Sequence, residues 1–160
     1  MSLKYNKVSL GSIEEFNSFC NSNPDVKYID AILTDVSGII RGKRLPIKDA
    51  EKLFKSGIQF CYSTFLLDPT GYCPDAAGRG FSDGDPDATY YPVSGTLTKM
   101  PWHKDKLGQV LITIQDESRY SSIIDPRNVL AKVLERFDDL HLTFKVAFEL
   151  EFFLFRKRKN

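Results

Sequence analysis

Apolar positions along this chain change their spacing several times, and each change marks a new element. Ile13, Phe16, Phe19 and Cys20 recur at helical spacing behind Ser12. Ser12 with Glu15 three residues later reads as a capping box, and Asn23-Pro24 ends the helix. VKYIDAILTDVSGIIRGKRLPI then turns extended on both sides of a DVSG turn. That pattern predicts two adjacent antiparallel strands, Val26 to Val36 and Ile39 to Leu45. Pro46 closes the second, and IKDAEKLFKSG predicts a short helix ending at Gly57.

From Ser63 to Gly95 the pattern breaks up under many glycines, prolines and aspartates, with apolar pieces such as FLL and TYYPV. This predicts mostly loop, and ordered loops of such length tend to be functional. GQVLITIQDE returns as a strand. DPRNVLAKVLERFDDL is the clearest helix, with Asp125 as N-cap and Pro126 at the first position. Val129, Val133 and Phe137, widened by Leu130 and Leu134, form the stripe through which it should pack. FKVAFELEFFLF predicts a closing strand. Strands and interspersed helices without repeats give the class α+β.

Composition narrows the function. The chain has 160 residues and a formal net charge of +1, which gives no reason to expect a nucleic acid or an anionic membrane as partner. No segment approaches the ~20 apolar residues of a membrane span, and the N-terminus lacks a signal-peptide core, so a soluble cytoplasmic protein is expected. Cys20, Cys61 and Cys73 form no CxxC pair, which argues against disulfides and structural zinc. The basic run Arg156 to Lys159 reads as a solvated end.

The closing strand carries the chemistry. On one face stand Phe144, Val146, Phe148, Leu150, Phe152 and Leu154; on the other, Glu149 and Glu151 lie side by side, roughly 6–7 Å apart at the backbone. Neighbouring carboxylates repel, and a hard divalent cation such as magnesium or manganese relieves that repulsion. A solvated face with two ordinary glutamates accounts for the spacing as well, and spacing alone does not separate the two.

FELEFFLF resembles the metal-binding strand of the glutamine synthetase family. VKYIDAILTDVSGIIRGKRLPI resembles the first hairpin of that family's N-terminal β-grasp domain. DGDPDATYYPVSGTLTKMPW resembles the loop and strand that follow, and DPRNVLAKVLERF the helix leading into the metal strand. Order and spacing agree from about Val26 to Phe155. GKRLP, FLLDPTG and GTLTKMPW resemble most the branch that joins glutamate to amines, the gamma-glutamylputrescine synthetases among them.

The resemblance implies an N-terminal helical segment at 1–25, a β-grasp domain at 26–122 with its long loop at 63–95, and at 123–160 the first helix and strand of a catalytic domain. It implies Glu149 and Glu151 as ligands of catalytic magnesium or manganese. ATP would be the co-substrate, glutamate and ammonia or an organic amine the substrates, and γ-glutamyl phosphate the intermediate. The family assembles in rings, and Asp87 falls in the loop that meets the neighbouring subunit. Where ammonium-using members carry an aspartate, this chain has Cys61, followed by Tyr62, Ser63 and Thr64; a slipped register would put Asp68 in that role. Most of the catalytic domain is missing, so the isolated chain is expected to be inactive. The alternative is a non-catalytic β-grasp binding or regulatory module.

Other candidates carry less. His103 and His141 lack ligand spacing. Asp83, Asp85 and Asp87 suit turn chemistry better than a calcium loop, since Pro86 interrupts and no twelfth-position glutamate follows. Ser63 has no partnered histidine to activate it.

Overall fold

A computed structural model of the chain describes residues 8–75, 78, 80–104, 106–115 and 124–157. Ser12 caps α1 (Ile13–Ser22), its Oγ accepting the Glu15 N–H at 3.3 Å. The other half of the expected capping box does not form. Glu15 accepts the Gly95 N–H at 3.0 Å and the Ser94 hydroxyl at 3.3 Å, so its side chain ties α1 to a distant loop.

β1 (Tyr28–Thr34) and β2 (Ile40–Pro46) pair antiparallel from Tyr28 opposite Pro46 to Thr34 opposite Ile40, as the extended pattern predicts. Asp35 builds the turn between them. Its buried carboxylate accepts the N–H groups of Ser37 at 2.9 Å and Ile39 at 2.8 Å, and Arg41 Nε at 2.9 Å. α2 (Ile47–Ser56) follows β2 without a break and ends at Gly57, whose φ of 76° favours glycine. A Cβ there would lie 2.6 Å from Thr89 Cγ2 and 2.7 Å from the Tyr90 carbonyl oxygen.

The stretch read as mostly loop holds one strand of the sheet's interior. β3 (Ile58–Cys61) pairs antiparallel with β4 (Asp87–Pro92), and β4 pairs on its other edge with β6 (Leu107–Ile114). β5 (Thr98–Lys99) also lies on β6. Among the described residues the strands run in the order β2-β1-β6-β4-β3, with β1 and β6 parallel and the remaining pairs antiparallel. α2 lies across β1, β2 and β4 and touches α1. Ile29, Ala31 and Leu33 alternate inward from β1 and join Leu53, Phe54 and Phe16 in the core. Each such large side chain stabilises the fold by about 1.5–3 kcal/mol.

α3 (Pro126–Asp139) forms where predicted. Asp125 caps it by accepting the Arg127 N–H at 2.9 Å. Buried Asp125 also accepts the Thr113 hydroxyl at 2.5 Å and the Ile114 N–H at 3.2 Å, which fastens the helix start to β6. The expected packing of its stripe does not occur. No residue of α3 is buried, and Val129 and Val133 are 42% and 41% exposed, because no layer among the described residues lies against them. Phe137 alone of the three meets a ring, Phe144, with centroids 5.5 Å apart.

The predicted closing strand has no ladder partner among the described residues, and Phe148, Leu150, Leu154 and Phe155 are each nearly nine-tenths exposed. Among the described residues, no helix is long and apolar enough to cross a membrane. The 116–123 stretch, with the expected boundary at 122/123, lies outside the described residues, as does the basic run beyond Lys157.

Candidate functional site

β3 ends at Cys61, directly opposite Asp87 in the ladder. The chain then enters a single 3-10 turn, Tyr62–Phe65. Asp85 holds that turn from the other side: its Oδ2 accepts the Ser63 hydroxyl at 2.9 Å and its Oδ1 the Ser63 N–H at 3.3 Å. The Tyr62 N–H donates to the Pro86 carbonyl at 3.1 Å. Asp83 accepts the N–H groups of Gly80 at 2.9 Å and Asp85 at 3.1 Å, so SDGDPD is a self-bonded turn clamped on residues 61–65.

The structure thus gathers Cys61, Tyr62, Ser63 and Thr64 with Asp85 and Asp87. Burial pushes the Cys61 thiol up, and the nearby carboxylates of Asp85 and Asp87 push the same way. Tyr90 donates to the Cys61 carbonyl at 3.2 Å, and burial raises its phenol far above the ordinary range. Cys61 therefore stays a neutral thiol at pH 7.

Access differs along the turn. Tyr62, Ser63 and Phe65 are buried, with Phe65 stacked on Tyr90 at 5.7 Å between centroids. Cys61 and Thr64 are half-buried and Asp87 is exposed. Tyr62 and Phe65 therefore serve the core and offer no free face to a ligand. Asp68, the alternative acid, is engaged in its own loop, accepting the Thr70 N–H and hydroxyl at 2.8 and 2.7 Å and the Tyr72 N–H at 3.0 Å.

Glu149 and Glu151 both lie exposed on the unpaired closing segment. Among the described residues no three histidine, cysteine, aspartate or glutamate side chains gather as a ligand set, His103 and His141 included. Two carboxylates suit a hard cation in kind, but fill only part of its shell of about six oxygens. The three cysteines are free thiols.

Asp85 is the residue that sequence reasoning assigned to a turn without linking it to Cys61. The missing signal was the β3–β4 pairing, which brings the two segments together.

The family profile for the glutamine synthetase catalytic domain matches residues 123–160. Over 147 residues the chain is 36% identical to gamma-glutamylputrescine synthetase of Escherichia coli (strain K12), covering 92% of this chain and 31% of that protein. Over 122 residues it is 30% identical to glutamate–isopropylamine ligase of Pseudomonas sp, covering 75% of this chain and 26% of that protein. Among solved structures, the Plasmodium falciparum glutamine synthetase superposes with a TM-score of 0.57 at 20% identity, covering 84% of this chain and 24% of that one. A GmaS/ADP complex superposes with a TM-score of 0.58 at 22% identity, covering 78% and 26%. The mixed sheet-and-helix fold is therefore one found in glutamine synthetase chains. This chain belongs to the glutamine synthetase family. It spans less than a third of the length of the two curated relatives named.

Proposed function

We propose that this chain is part of a longer ATP-dependent ligase that joins glutamate to an amine through γ-glutamyl phosphate. The observation that carries the reading is the identity, along nearly the whole chain, to a gamma-glutamylputrescine synthetase. Residues 26–122 form its β-grasp domain; the parallel pairing of β1 with β6 beneath α2 supports this. Residues 123–160 begin the catalytic domain, in keeping with the family profile over that stretch.

Glu149 and Glu151 hold magnesium or manganese, with the remaining ligands coming from outside the described residues. The bound ion supplies positive charge for phosphoryl transfer. The neutral Cys61 edge, with exposed Asp87 opposite, faces the amine, and Asp85 keeps the 61–65 turn in place for it. Subunits assemble in rings, with the Asp87 loop toward the neighbouring active site. The segment from Phe148 to Phe155, so exposed here, is what a strand made for a larger sheet presents alone, and a free-standing binding module would not leave it bare.

Steady-state assays of the full-length ligase with ATP, glutamate and amine test the reading. Glutamyl-amide formation lost in Glu149→Gln and Glu151→Gln is expected, together with no phosphate release by the 160-residue chain. A full-length protein that makes no glutamyl amide, or that tolerates both substitutions, overturns it.

A further inference from the structure

Arg41 joins two parts of the chain that flank the candidate site. Its Nε donates to Asp35 Oδ2 at 2.9 Å, and its Nη2 donates to the Asp68 carbonyl at 2.8 Å. The Arg41 side chain is 21% exposed and that of Asp35 is fully buried, so the guanidinium is held from the hairpin side. Next to it, the Val36 N–H donates to the Phe65 carbonyl at 3.0 Å. The β1–β2 turn thus grips the chain at residues 65 and 68, where it leaves the 61–65 turn.

The loop beyond is closed on itself. The Asp68 N–H donates to the Tyr72 carbonyl at 2.9 Å, and Asp68 Oδ1 accepts the Tyr72 N–H at 3.0 Å. The Gly71 N–H donates at 2.9 Å to the Asp68 carbonyl, the oxygen that Arg41 also reaches. These bonds set the loop's shape, whereas Arg41 sets where the loop sits. Between the two gripped residues lie Leu66 and Leu67, both half-buried. Among the described residues Leu66 is one of those packed on the core, and Leu67 is not.

We propose that Arg41 is a positioning residue for the amine: it fixes the 66–68 segment so that Leu67 meets the carbon chain of an organic donor. The proposal rests on the ligase reading, which puts the Cys61 edge at the amine. A donor as small as ammonium meets that edge alone, and the edge is held by Asp85 and the β3–β4 ladder. A longer amine reaches past it, along the chain that follows. A gap of about 0.5–1 Å already forfeits a quarter to a half of a dispersion contact, so the loop's placement decides what Leu67 contributes. Lysine cannot do both of Arg41's jobs. A guanidinium offers donors in a fixed fork, an ammonium only a point charge on a flexible stem. Arg41→Lys therefore keeps a cation beside Asp35 and gives up the Asp68 bond.

Steady-state assays of the full-length ligase with putrescine and with ammonia test this, alongside peptide-level hydrogen exchange. In Arg41→Lys the ratio of kcat/KM for putrescine to that for ammonia should fall about fourfold, the worth of one buried methylene, with KM for glutamate unchanged. Leu67→Ala should lower the same ratio at least as much. The double variant should fall no further than Leu67→Ala alone, since both changes remove one contact. A merely structural role would lower both donors together. Amides over 69–72 should exchange about tenfold faster in Arg41→Lys, and those of β6 at their usual rate. A ratio that stays put in Arg41→Lys, or an equal loss with both donors, overturns the proposal. If the exchange quickens while the ratio holds, the loop is anchored by Arg41 but does not meet the amine, and the ligase reading stands. A full-length protein that forms no glutamyl amide removes that reading and this proposal with it.

Discussion

Cys61 and Asp87 stand directly opposite each other in the β3–β4 ladder. Burial is the larger cause of the raised Cys61 pKa, with Asp85 and Asp87 adding to it. Replacing Asp87 by asparagine should therefore bring the thiol part of the way back toward ~8.5, and speed alkylation of Cys61 at pH 8 by about two- to fivefold. Peptide mass spectrometry after timed iodoacetamide treatment reads this directly. An unchanged rate would mean that the carboxylate does not act on the thiol. Because the folded-state pKa lies above the unfolded one, the associated stability is complete below pH ~8.5 and falls as pH rises beyond it.

Asp35 and Arg41 hold the β1–β2 hairpin. Burial opposes the charge on Asp35, but the N–H groups of Ile39 and Ser37 and the Arg41 guanidinium outweigh it and hold the carboxyl below the usual range. Arg41 also donates to the Asp68 carbonyl at 2.8 Å, so the hairpin tip is tied to the loop beyond β3. Asp35→Ala should cost about 2–4 kcal/mol at pH 7 in urea unfolding. A depressed pKa contributes stability above the unfolded value of ~3.9 that is lost as pH falls through the folded one. The deficit of the variant should accordingly shrink at pH 3, and a constant deficit would argue that packing, not charge, is at stake.

Gly42 and Gly38 lie in the same hairpin yet should respond differently to alanine. A Cβ at Gly42 would fall 2.1 Å from the Ala31 carbonyl oxygen, a backbone atom that can move only with its strand. Gly38 has open space but a φ of 80°. Gly42→Ala should cost about 3 kcal/mol or more, and Gly38→Ala about 1 kcal/mol, in the same unfolding assay. Equal costs would contradict the close approach at Gly42.

Much of the fold was legible where local pattern and tertiary role agree. The β1–β2 hairpin, α2 with its terminal glycine, and the Asp125 cap each follow from residues adjacent in sequence. β4 was obscured because it begins at Asp87, one residue after Pro86, and ends at Pro92, so turn signals outweighed the alternation of Ala88, Tyr90 and Pro92. The capping role expected of Glu15 gave way to Ser94 and Gly95, which lie about eighty residues away and are invisible to local reading. At the candidate site, Cys61 was singled out by resemblance, but its carboxylate neighbours came from strand pairing. Glu149 and Glu151 were legible as a pair, and among the described residues no third histidine, cysteine or carboxylate joins them.

The arrangement around Cys61 also bears on the nitrogen donor expected of the proposed full-length ligase. Removing ammonium from water costs several kcal/mol, which a buried anion must recover. Cys61 is neutral, Asp85 is engaged with the Ser63 hydroxyl and N–H, and Asp68 is engaged with Thr70 and Tyr72. Asp87 is left, and it is exposed, where a carboxylate in water attracts a cation only weakly. An organic amine has a further source of binding, about 0.8 kcal/mol for each methylene it buries. Tyr62 and Phe65 face inward, so that chain must be held by side chains outside the 61–65 turn. The full-length enzyme should therefore show a kcat/KM for putrescine or a similar amine about tenfold or more above that for ammonia, on the assumption that a few methylenes are buried. Asp87→Asn should raise KM for the amine by a few-fold and leave that for glutamate unchanged. Steady-state assays with both nitrogen donors decide it: a higher kcat/KM for ammonia would place an effective anion at this site and refute the role assigned to Cys61.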